Sequence, residues 1–219
     1  MVIKQNLDSL NAKIEKYCKI YNKKADLIDL LAVSKKVSED KIIEAINLGC
    51  KSFGENYIQE AQEKWIEIRK KHSEVKVHFI GHLQSNKAKD AVEIFDTIET
   101  VDSKKLAKEI AKYADKLNKN PEIFIQVNIG EEEQKGGADL NEVSDLVSYC
   151  KDECGLNVVG LMCIPPSEEA SCAYFALLAK IAKENNLKKL SMGMSQDIED
   201  AIACGTTQIR IGTALFGKR

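Results

Sequence analysis

The first lysine in the segment LLAVSKK, Lys35, is a residue whose type and position could do chemistry. Lys35 follows the apolar run LLAV, and a lysine at the end of a buried strand is partly desolvated. Desolvation disfavours the ammonium form and lowers the pKa, which raises the fraction of neutral amine that can condense with an aldehyde. Most lysines are solvated surface groups, however. The adjacent Lys36 shows that position alone leaves open the alternative that Lys35 is also an ordinary surface lysine.

Two segments near the end of the sequence could bind an anion. Ser195 begins the segment SQDIEDAIACG, where its hydroxyl could cap a helix whose first backbone N–H groups face outward. Gly212 and Thr213 follow the segment QIRI, and there a glycine lets the backbone close on an anion while a threonine adds a hydroxyl. The alternative is that Ser195 is only a helix cap and Gly212 only a turn residue.

Arg210 is notable because the 32 basic residues include few arginines. It is the penultimate residue of QIRI, two residues before Gly212, and in a barrel of such strands it could project into the barrel mouth. Its permanently charged guanidinium would need a partner there, and a structural salt bridge is the alternative reading. A lysine, an anion-binding loop and an arginine together suit an aldehyde that carries a phosphate and a ring acceptor. Pyridoxal phosphate has all three.

Eight short apolar runs alternate with amphipathic segments that would position these residues. We predict strands at residues 30–34, 52–54, 77–80, 97–101, 123–128, 158–162, 189–192 and 208–211. Several are continuously apolar, as in parallel strands covered by helices. Helical spacing indicates helices at about 39–48, 57–71, 86–95, 103–117, 140–154, 168–185 and 196–204, with an extra helix at about 6–21. Gly49, Gly155 and Gly205 stand where three of them should end.

This alternation predicts an α/β fold, a single (β/α)8 TIM barrel over residues 1–219 with an extra N-terminal helix. An open doubly wound sheet is the main competitor. In a barrel of this kind the reactive groups gather at the carboxyl ends of the strands, which the sequence can test. Lys35, Asn56, Ser195 and Gly212 each follow a predicted strand, so polar residues converge on one rim.

The composition argues against several classes of function. The 32 basic and 34 acidic residues give a net charge of -2, so there is no general electrostatic reason to bind nucleic acid or an anionic membrane. No stretch approaches the roughly 18 apolar residues of a membrane span, and the N-terminus does not resemble a signal peptide, so we expect a cytoplasmic protein. The seven cysteines are irregularly spaced, which predicts reduced thiols and no metal site.

The motifs together resemble those of the YggS/PROSC-type pyridoxal phosphate homeostasis proteins, which share the barrel of the alanine racemase N-terminal domain. The resemblance covers almost the whole chain, through LLAVSK, FGENYIQE, HFIGHLQSNK, QVNIGEEEQKGG, GLMCIPP, LSMGMSQDIEDAI and IRIGTALFG in that order. It implies a fold-type III barrel that holds pyridoxal phosphate as an internal aldimine. The implied cofactor-binding residues are Lys35 for the aldimine, Asn56 in the pocket wall, Arg210 at the pyridine nitrogen, and Ser195, Gly212 and Thr213 at the phosphate.

The same resemblance implies a role in vitamin B6 homeostasis, with no established catalytic activity and therefore no catalytic residues to assign. An arginine does not readily give up a proton, so Arg210 would leave the pyridine nitrogen unprotonated and the ring a weaker electron sink. Apo-enzymes that depend on pyridoxal phosphate are the partners this role would serve, and we expect a monomer. The alternative is an amino-acid racemase, which needs a second base from a further domain, and little sequence follows the eighth predicted strand. His78 lies within a predicted strand and is expected to be structural.

Overall fold

Eight parallel strands close into a barrel in the computed structural model, which describes residues 2–132, 134–166 and 169–217. Neighbours along the chain are neighbours in the sheet, and β8 pairs with β1. The strands are β1 (Asp29–Val33), β2 (Ser52–Glu55), β3 (Lys76–Phe79), β4 (Thr97–Val101), β5 (Glu122–Val127), β6 (Asn157–Cys163), β7 (Lys189–Ser191) and β8 (Gln208–Ile211). The prediction of a (β/α)8 barrel is confirmed, and the alternative of an open doubly wound sheet is wrong.

Helices precede the first strand and follow each strand of the barrel. They are α1 (Val2–Ile20), α2 (Glu39–Asn47), α3 (Ile58–Lys71), α4 (Ala88–Ile94), α5 (Lys104–Leu117), α6 (Val143–Ser148), α7 (Ser171–Glu184), α8 (Ile198–Ala203) and α9 (Thr213–Phe216). A π-helical turn, Tyr149–Glu153, continues α6, so the segment predicted at 140–154 is helical from Val143 onward. The predicted start of the seventh helix at residue 168 lies outside the described residues.

The first helix begins earlier than predicted, at Val2. Its buried side chains, Ile3, Leu7, Leu10, Ile14 and Cys18, recur at three and four residues and so form one apolar stripe. The helix packs against α8 and α9, and the Asn6 side-chain amide donates to the carbonyl oxygen of Leu215 at 2.9 Å. The extra helix is therefore an integral part of the wall that follows the last two strands.

Several helix ends follow the predicted signals. The Ser103 hydroxyl caps α5 by accepting a hydrogen bond from the backbone N–H of Leu106 at 3.4 Å. Gly49, Gly155 and Gly205 have φ values of +98°, +64° and +86°, in the left-handed region where glycine carries no Cβ penalty. Local sequence thus sets where these helices stop and the chain turns back toward the barrel.

The apolar core lies between the strands and the surrounding helices. Phe53 of β2 and Trp65 of α3 are both buried, with ring centroids 5.1 Å apart. Ile209 and Ile211 alternate along β8 and are completely buried in the same core. Burying a large apolar side chain contributes about 1.5–3 kcal/mol, so many such contacts fix the helices and the loops between them.

Candidate functional site

The register of β1 and β2 brings two of the predicted site residues together. Val33 at the end of β1 pairs with Gly54 of β2. Lys35 and Asn56 each lie two residues beyond this pair, Lys35 after Val33 and Asn56 after Gly54. Because parallel strands end at the same edge of a sheet, the turn with Lys35 and the turn with Asn56 are neighbours on the carboxyl-terminal rim.

The register of β8 with its two neighbours adds the remaining segments. Leu31 of β1 pairs with Arg210 of β8, and the Arg210 backbone N–H donates to the carbonyl oxygen of Gly193 at 3.0 Å. Ser195 lies two residues after Gly193, beyond β7, and Gly212 lies two residues after Arg210, beyond β8. The structure therefore gathers the predicted phosphate segments on the same rim as Lys35.

Two adjacent lysines differ sharply in their surroundings. Lys35 is half-buried, whereas Lys36 is exposed and has a left-handed φ of +58°. The backbone N–H of Val37 donates to the carbonyl oxygen of Ser34 at 3.0 Å, which closes a tight turn around both lysines. The half-buried Lys35 is the one whose surroundings match the sequence prediction.

The side chain of Asn56 contains a buried polar atom without a partner. Its Oδ1 is shielded from solvent and accepts no hydrogen bond from the described residues. A buried amide oxygen without a donor costs free energy that a hydrogen bond would recover. The site thus offers an acceptor to a ligand donor beside the turn with Lys35.

Ser195 lies on the predicted rim, but its predicted role as a helix cap is wrong. Helix α8 starts at Ile198 and its N-cap residue is Asp197, two residues further on. The Asp197 carboxylate accepts from the backbone N–H of Met194 at 2.5 Å, which folds the segment into a turn before the helix. Ser195 occupies that turn and is half-buried.

Gly212 and Thr213 form the junction between β8 and α9. The carbonyl oxygen of Gly212 accepts from the backbone N–H groups of Leu215 and Phe216, both at 3.0 Å. The first N–H groups of a helix have no acceptor within it, so those of Thr213 and Ala214 can be offered to a bound group. The φ of Gly212 is -109°, so its backbone lies outside the left-handed region that by itself favours glycine.

Arg210 points into the barrel, as its position in β8 predicts, and it is only 5% exposed. Its Nη1 donates to Ser191 Oγ, and its Nη2 donates to the backbone carbonyl of Cys163, both at 2.8 Å. Both partners are uncharged, so these contacts are not the direct salt bridge considered as an alternative. They fix the guanidinium plane and use two of its five N–H groups.

A buried carboxylate in the barrel interior balances Arg210. Glu99 of β4 is fully buried, and its Oε2 accepts from Ser191 Oγ at 2.6 Å. Its Oε1 accepts from Gln208 Nε2 at 2.6 Å and lies 2.7 Å from Nδ1 of His78. Side chains of β3, β4, β7 and β8 are thereby joined across the interior. The sequence signal was a charged residue inside the apolar strand TIETV, and the prediction missed it.

The pKa of Glu99 is lowered although burial alone would raise it. Burial is the largest single effect, but the hydrogen bond and charge of His78, the charge of Arg210 and the hydrogen bond of Ser191 together outweigh it. Glu99 is thus held as an anion, and the Ser191 hydroxyl links it to Arg210. His78 lies within β3, as predicted, and serves this interior network.

A cavity of about 710 Å³ opens at the opposite, amino-terminal end of the barrel. It is lined by residues that begin strands, among them Lys76 and Lys189, and it reaches His78 and Gln208 inside. Lys189 is paired with Glu122 at 2.7 Å. We assign the functional site to the other end, where the loops after the strands converge.

The cysteines are free thiols, as predicted from their spacing. Within residues 2–132, 134–166 and 169–217, no group of three or more His, Cys, Asp or Glu side chains could hold a metal ion. In the same ranges, no helix combines the length and apolar character that crossing a membrane requires.

Comparison with known proteins extends the resemblance to the whole chain. The family model described as "Alanine racemase, N-terminal domain" matches residues 5–219. A "Pyridoxal phosphate homeostasis protein" of Haemophilus influenzae is 38% identical over 100% of this chain and 97% of its own length. One of the same name from Aquifex aeolicus is 38% identical, over 98% of this chain and 97% of its own length.

Solved structures give the same answer. PipY of Synechococcus elongatus, solved with PLP bound, superposes with a TM-score of 0.84 at 34% identity and covers 98% of this chain and 100% of its own. An alanine racemase of Clostridium difficile has a TM-score of 0.75 at 16% identity, and this chain covers 57% of it, so that likeness shows the fold alone. On these matches, the chain belongs to the family of pyridoxal phosphate homeostasis proteins, which is built on the fold of the alanine racemase N-terminal domain.

Proposed function

We propose that this protein binds pyridoxal phosphate covalently at Lys35, on the carboxyl-terminal rim of the barrel, and serves to keep and supply the cofactor. The observation that carries the proposal is the shared register of β1 and β8, which sets the turn of Lys35 beside the strand of the buried Arg210. The printed names of the relatives support the same role. We propose a monomer in the cytoplasm, with apo-enzymes that depend on the cofactor as recipients.

When bound, pyridoxal phosphate supplies an aldehyde, a phosphate and a ring nitrogen. Lys35 would hold the cofactor through its side-chain amine, and the aldehyde would supply the carbon that takes up this amine with loss of water. Lys35 is half-buried on the carboxyl-terminal rim, in the turn that the Val37 N–H and the Ser34 carbonyl close.

The other site residues have separate tasks. Ser195 and Thr213 offer hydroxyl groups to the phosphate, and Gly212 lets the backbone N–H groups that follow it approach closely. Arg210 would face the ring nitrogen with a guanidinium whose orientation is already fixed by its bonds to Ser191 and to the Cys163 carbonyl. Asn56 Oδ1 is the buried acceptor that a donor on the cofactor could satisfy. This set of donors and acceptors fits a phosphorylated aldehyde with a ring acceptor.

Arg210 also supports a non-catalytic role over amino-acid chemistry. Catalysis by this cofactor requires the ring to accept electrons, which a protonated ring nitrogen favours. A guanidinium retains its protons and therefore leaves the nitrogen unprotonated. A racemase remains the second candidate, because the fold is shared with alanine racemase.

Chemical trapping tests the site. Purified protein is incubated with pyridoxal phosphate, reduced with borohydride and digested, and the labelled peptide is sequenced. We expect the label on Lys35, its loss in Lys35→Ala, and its retention in the adjacent control Lys36→Ala. A label on another lysine, or no label, would overturn the site.

Two activity measurements test the role. Loaded protein should activate an apo-enzyme faster than free pyridoxal phosphate at the same concentration, if delivery is the function. Racemase, lyase or transaminase turnover with common amino acids should stay well below about 1 per second, the lower range of ordinary enzymes. A rate above that value would favour the racemase alternative.

A further inference from the structure

Helix α3 contacts both peptide groups that flank Lys35. The Lys64 ammonium donates to the carbonyl oxygen of Ser34 at 2.9 Å, which is the peptide group before Lys35. The Glu60 carboxylate accepts from the backbone N–H of Lys36 at 2.5 Å, which is the peptide group after it. Glu60 and Lys64 are one helical turn apart and form an ion pair of 2.9 Å with each other.

The turn that receives these bonds has a backbone conformation that requires support. Lys36 adopts a φ of +58°, which is uncommon for a residue with a Cβ atom and unfavourable on steric grounds. Such a conformation persists when surrounding contacts determine it. The hydrogen bond between Val37 N–H and Ser34 O closes the turn from within, and the side chains of α3 hold it from outside.

Lys64 is fixed in its place by burial and by carboxylates. Its side chain is 10% exposed and its Nζ lies 2.8 Å from Oε1 of Glu55, which is completely buried. The same oxygen accepts from Ser34 Oγ at 2.7 Å and from Trp65 Nε1 at 3.1 Å. A buried charge is stable only when it is paired, so Lys64, Glu55 and Ser34 form a connected unit.

We propose that Lys64 and Glu60 are positioning residues for cofactor capture, which orient the turn so that Lys35 can reach the aldehyde. The inference rests on the proposed function of Lys35 and adds two residues of α3 that contact the peptide groups on either side of it. A covalent bond forms efficiently only when the nucleophile is held close to the attack geometry, and small displacements reduce the rate and equilibrium of capture.

A control on the same helix separates positioning from plain stabilisation. Arg69 also anchors α3, by donating to the carbonyl oxygen of Ile94 at 2.8 Å and by pairing with Asp96, and its side chain is 27% exposed. These contacts tie the helix to the segment before β4 and involve no part of the Lys35 turn. If α3 matters only for folding, Lys64→Met and Arg69→Met should affect cofactor binding alike.

The test compares wild type, Lys64→Met, Glu60→Ala and Arg69→Met. The measurements are equilibrium binding of pyridoxal phosphate from its visible absorbance, the borohydride label on Lys35, the melting temperature, and hydrogen exchange of the Lys36 amide without cofactor. We expect Lys64→Met and Glu60→Ala to bind about tenfold to a hundredfold more weakly. Faster exchange at Lys36 should accompany the loss in Glu60→Ala, whereas Arg69→Met should lose melting temperature with near-normal binding.

The possible results separate this inference from the function it rests on. A folded Lys64→Met that binds as tightly as Arg69→Met overturns the positioning role, while a wild-type label on Lys35 leaves the proposed function intact. The absence of that label in wild type overturns both. If Lys64→Met does not fold, Glu60→Ala decides the matter, because Glu60 is 26% exposed and its removal is milder. Unchanged binding there contradicts the inference.

Discussion

Arg210 and Ser191 are joined by a hydrogen bond of 2.8 Å inside the barrel, and the same serine hydroxyl donates to Glu99 at 2.6 Å. A hydroxyl has one proton to donate and two lone pairs to accept, so Ser191 can also receive the Gln208 amide at 3.0 Å. The orientation of the arginine at the proposed site is therefore set by side chains deep in the barrel.

Arg210→Lys keeps the positive charge but loses the paired geometry of the guanidinium. A lysine cannot reproduce the two bonds to Ser191 and to the Cys163 carbonyl, so we expect about 1–3 kcal/mol less stability. The absorbance of bound pyridoxal phosphate should also shift, because the proposed function places this residue at the ring nitrogen. Urea unfolding and absorbance spectra check both effects. Arg69→Lys is the control, and a spectrum of Arg210→Lys identical to wild type would remove Arg210 from the cofactor site.

Glu99 should make the folded state sensitive to acid. Its pKa in the folded protein lies below the ordinary value of 4.5, so the unfolded chain binds the proton first as pH falls. The stabilisation is therefore complete above about pH 5 and is lost as the pH falls through the folded-state pKa. Glu99→Gln should be less stable at neutral pH, by about 3–5 kcal/mol, because it removes one partner of a buried charged network. Urea midpoints between pH 3 and pH 7 (roughly the range over which a carboxyl of this kind titrates) should slope less in the variant. Equal slopes would show that another group carries the acid sensitivity.

Gly81→Ala should disturb the turn that carries Asn56. A Cβ atom at Gly81 would lie 2.1 Å from the backbone oxygen of Asn56, and backbone can yield only by moving. We expect a loss of about 1–3 kcal/mol in stability and weaker cofactor binding. Gly155→Ala serves as a control, since its left-handed φ of +64° costs stability with nothing within 4 Å of the added atom. Normal binding by Gly81→Ala would separate Asn56 from the pocket.

The buried thiols predict a loss of stability in alkali. Burial raises the pKa of Cys163 from 9.0 to about 12, against a smaller opposing effect of Arg210, and that of Cys150 from 9.0 to about 12. Because the unfolded thiols ionise first, stability is full below about pH 9 and falls as pH rises toward 12, by about 1.4 kcal/mol per pH unit for each thiol. Urea unfolding of wild type and Cys163→Ala from about pH 8 to 10 tests this. The variant should show the shallower decline, and parallel curves would contradict the assignment.

The strands could be predicted from the sequence because a short, continuously apolar run is typical of a parallel strand that helices cover. Every predicted strand boundary lies within one residue of the observed one, and the turn glycines fall where the helices end. The residues Lys35, Asn56, Ser195 and Gly212 could be found because a barrel brings all strand ends to one rim. Their roles toward the cofactor remain predictions.

The contacts around the site could not be predicted because they depend on three-dimensional register. Lys64 and Glu60 look like an ordinary surface ion pair in the sequence, and only the fold places them over the Lys35 turn. Glu99 becomes meaningful only when β4, β7 and β8 face one another across the interior. The cap of α8 was misassigned to Ser195 because serine and aspartate are both good caps and stand two residues apart.

The closure of the barrel restricts how a recipient protein could dock. Each of the eight strands is hydrogen-bonded on both sides, so none of them, within the described chain, offers a free edge for a strand of another protein. A strand of another protein therefore finds no free strand edge, among the described residues, with which to pair its backbone. A recipient of the kind proposed would instead have to meet side chains and loops at the rim. Recognition there would depend on shape and charge, so rim substitutions would change the choice of partner while the fold persists.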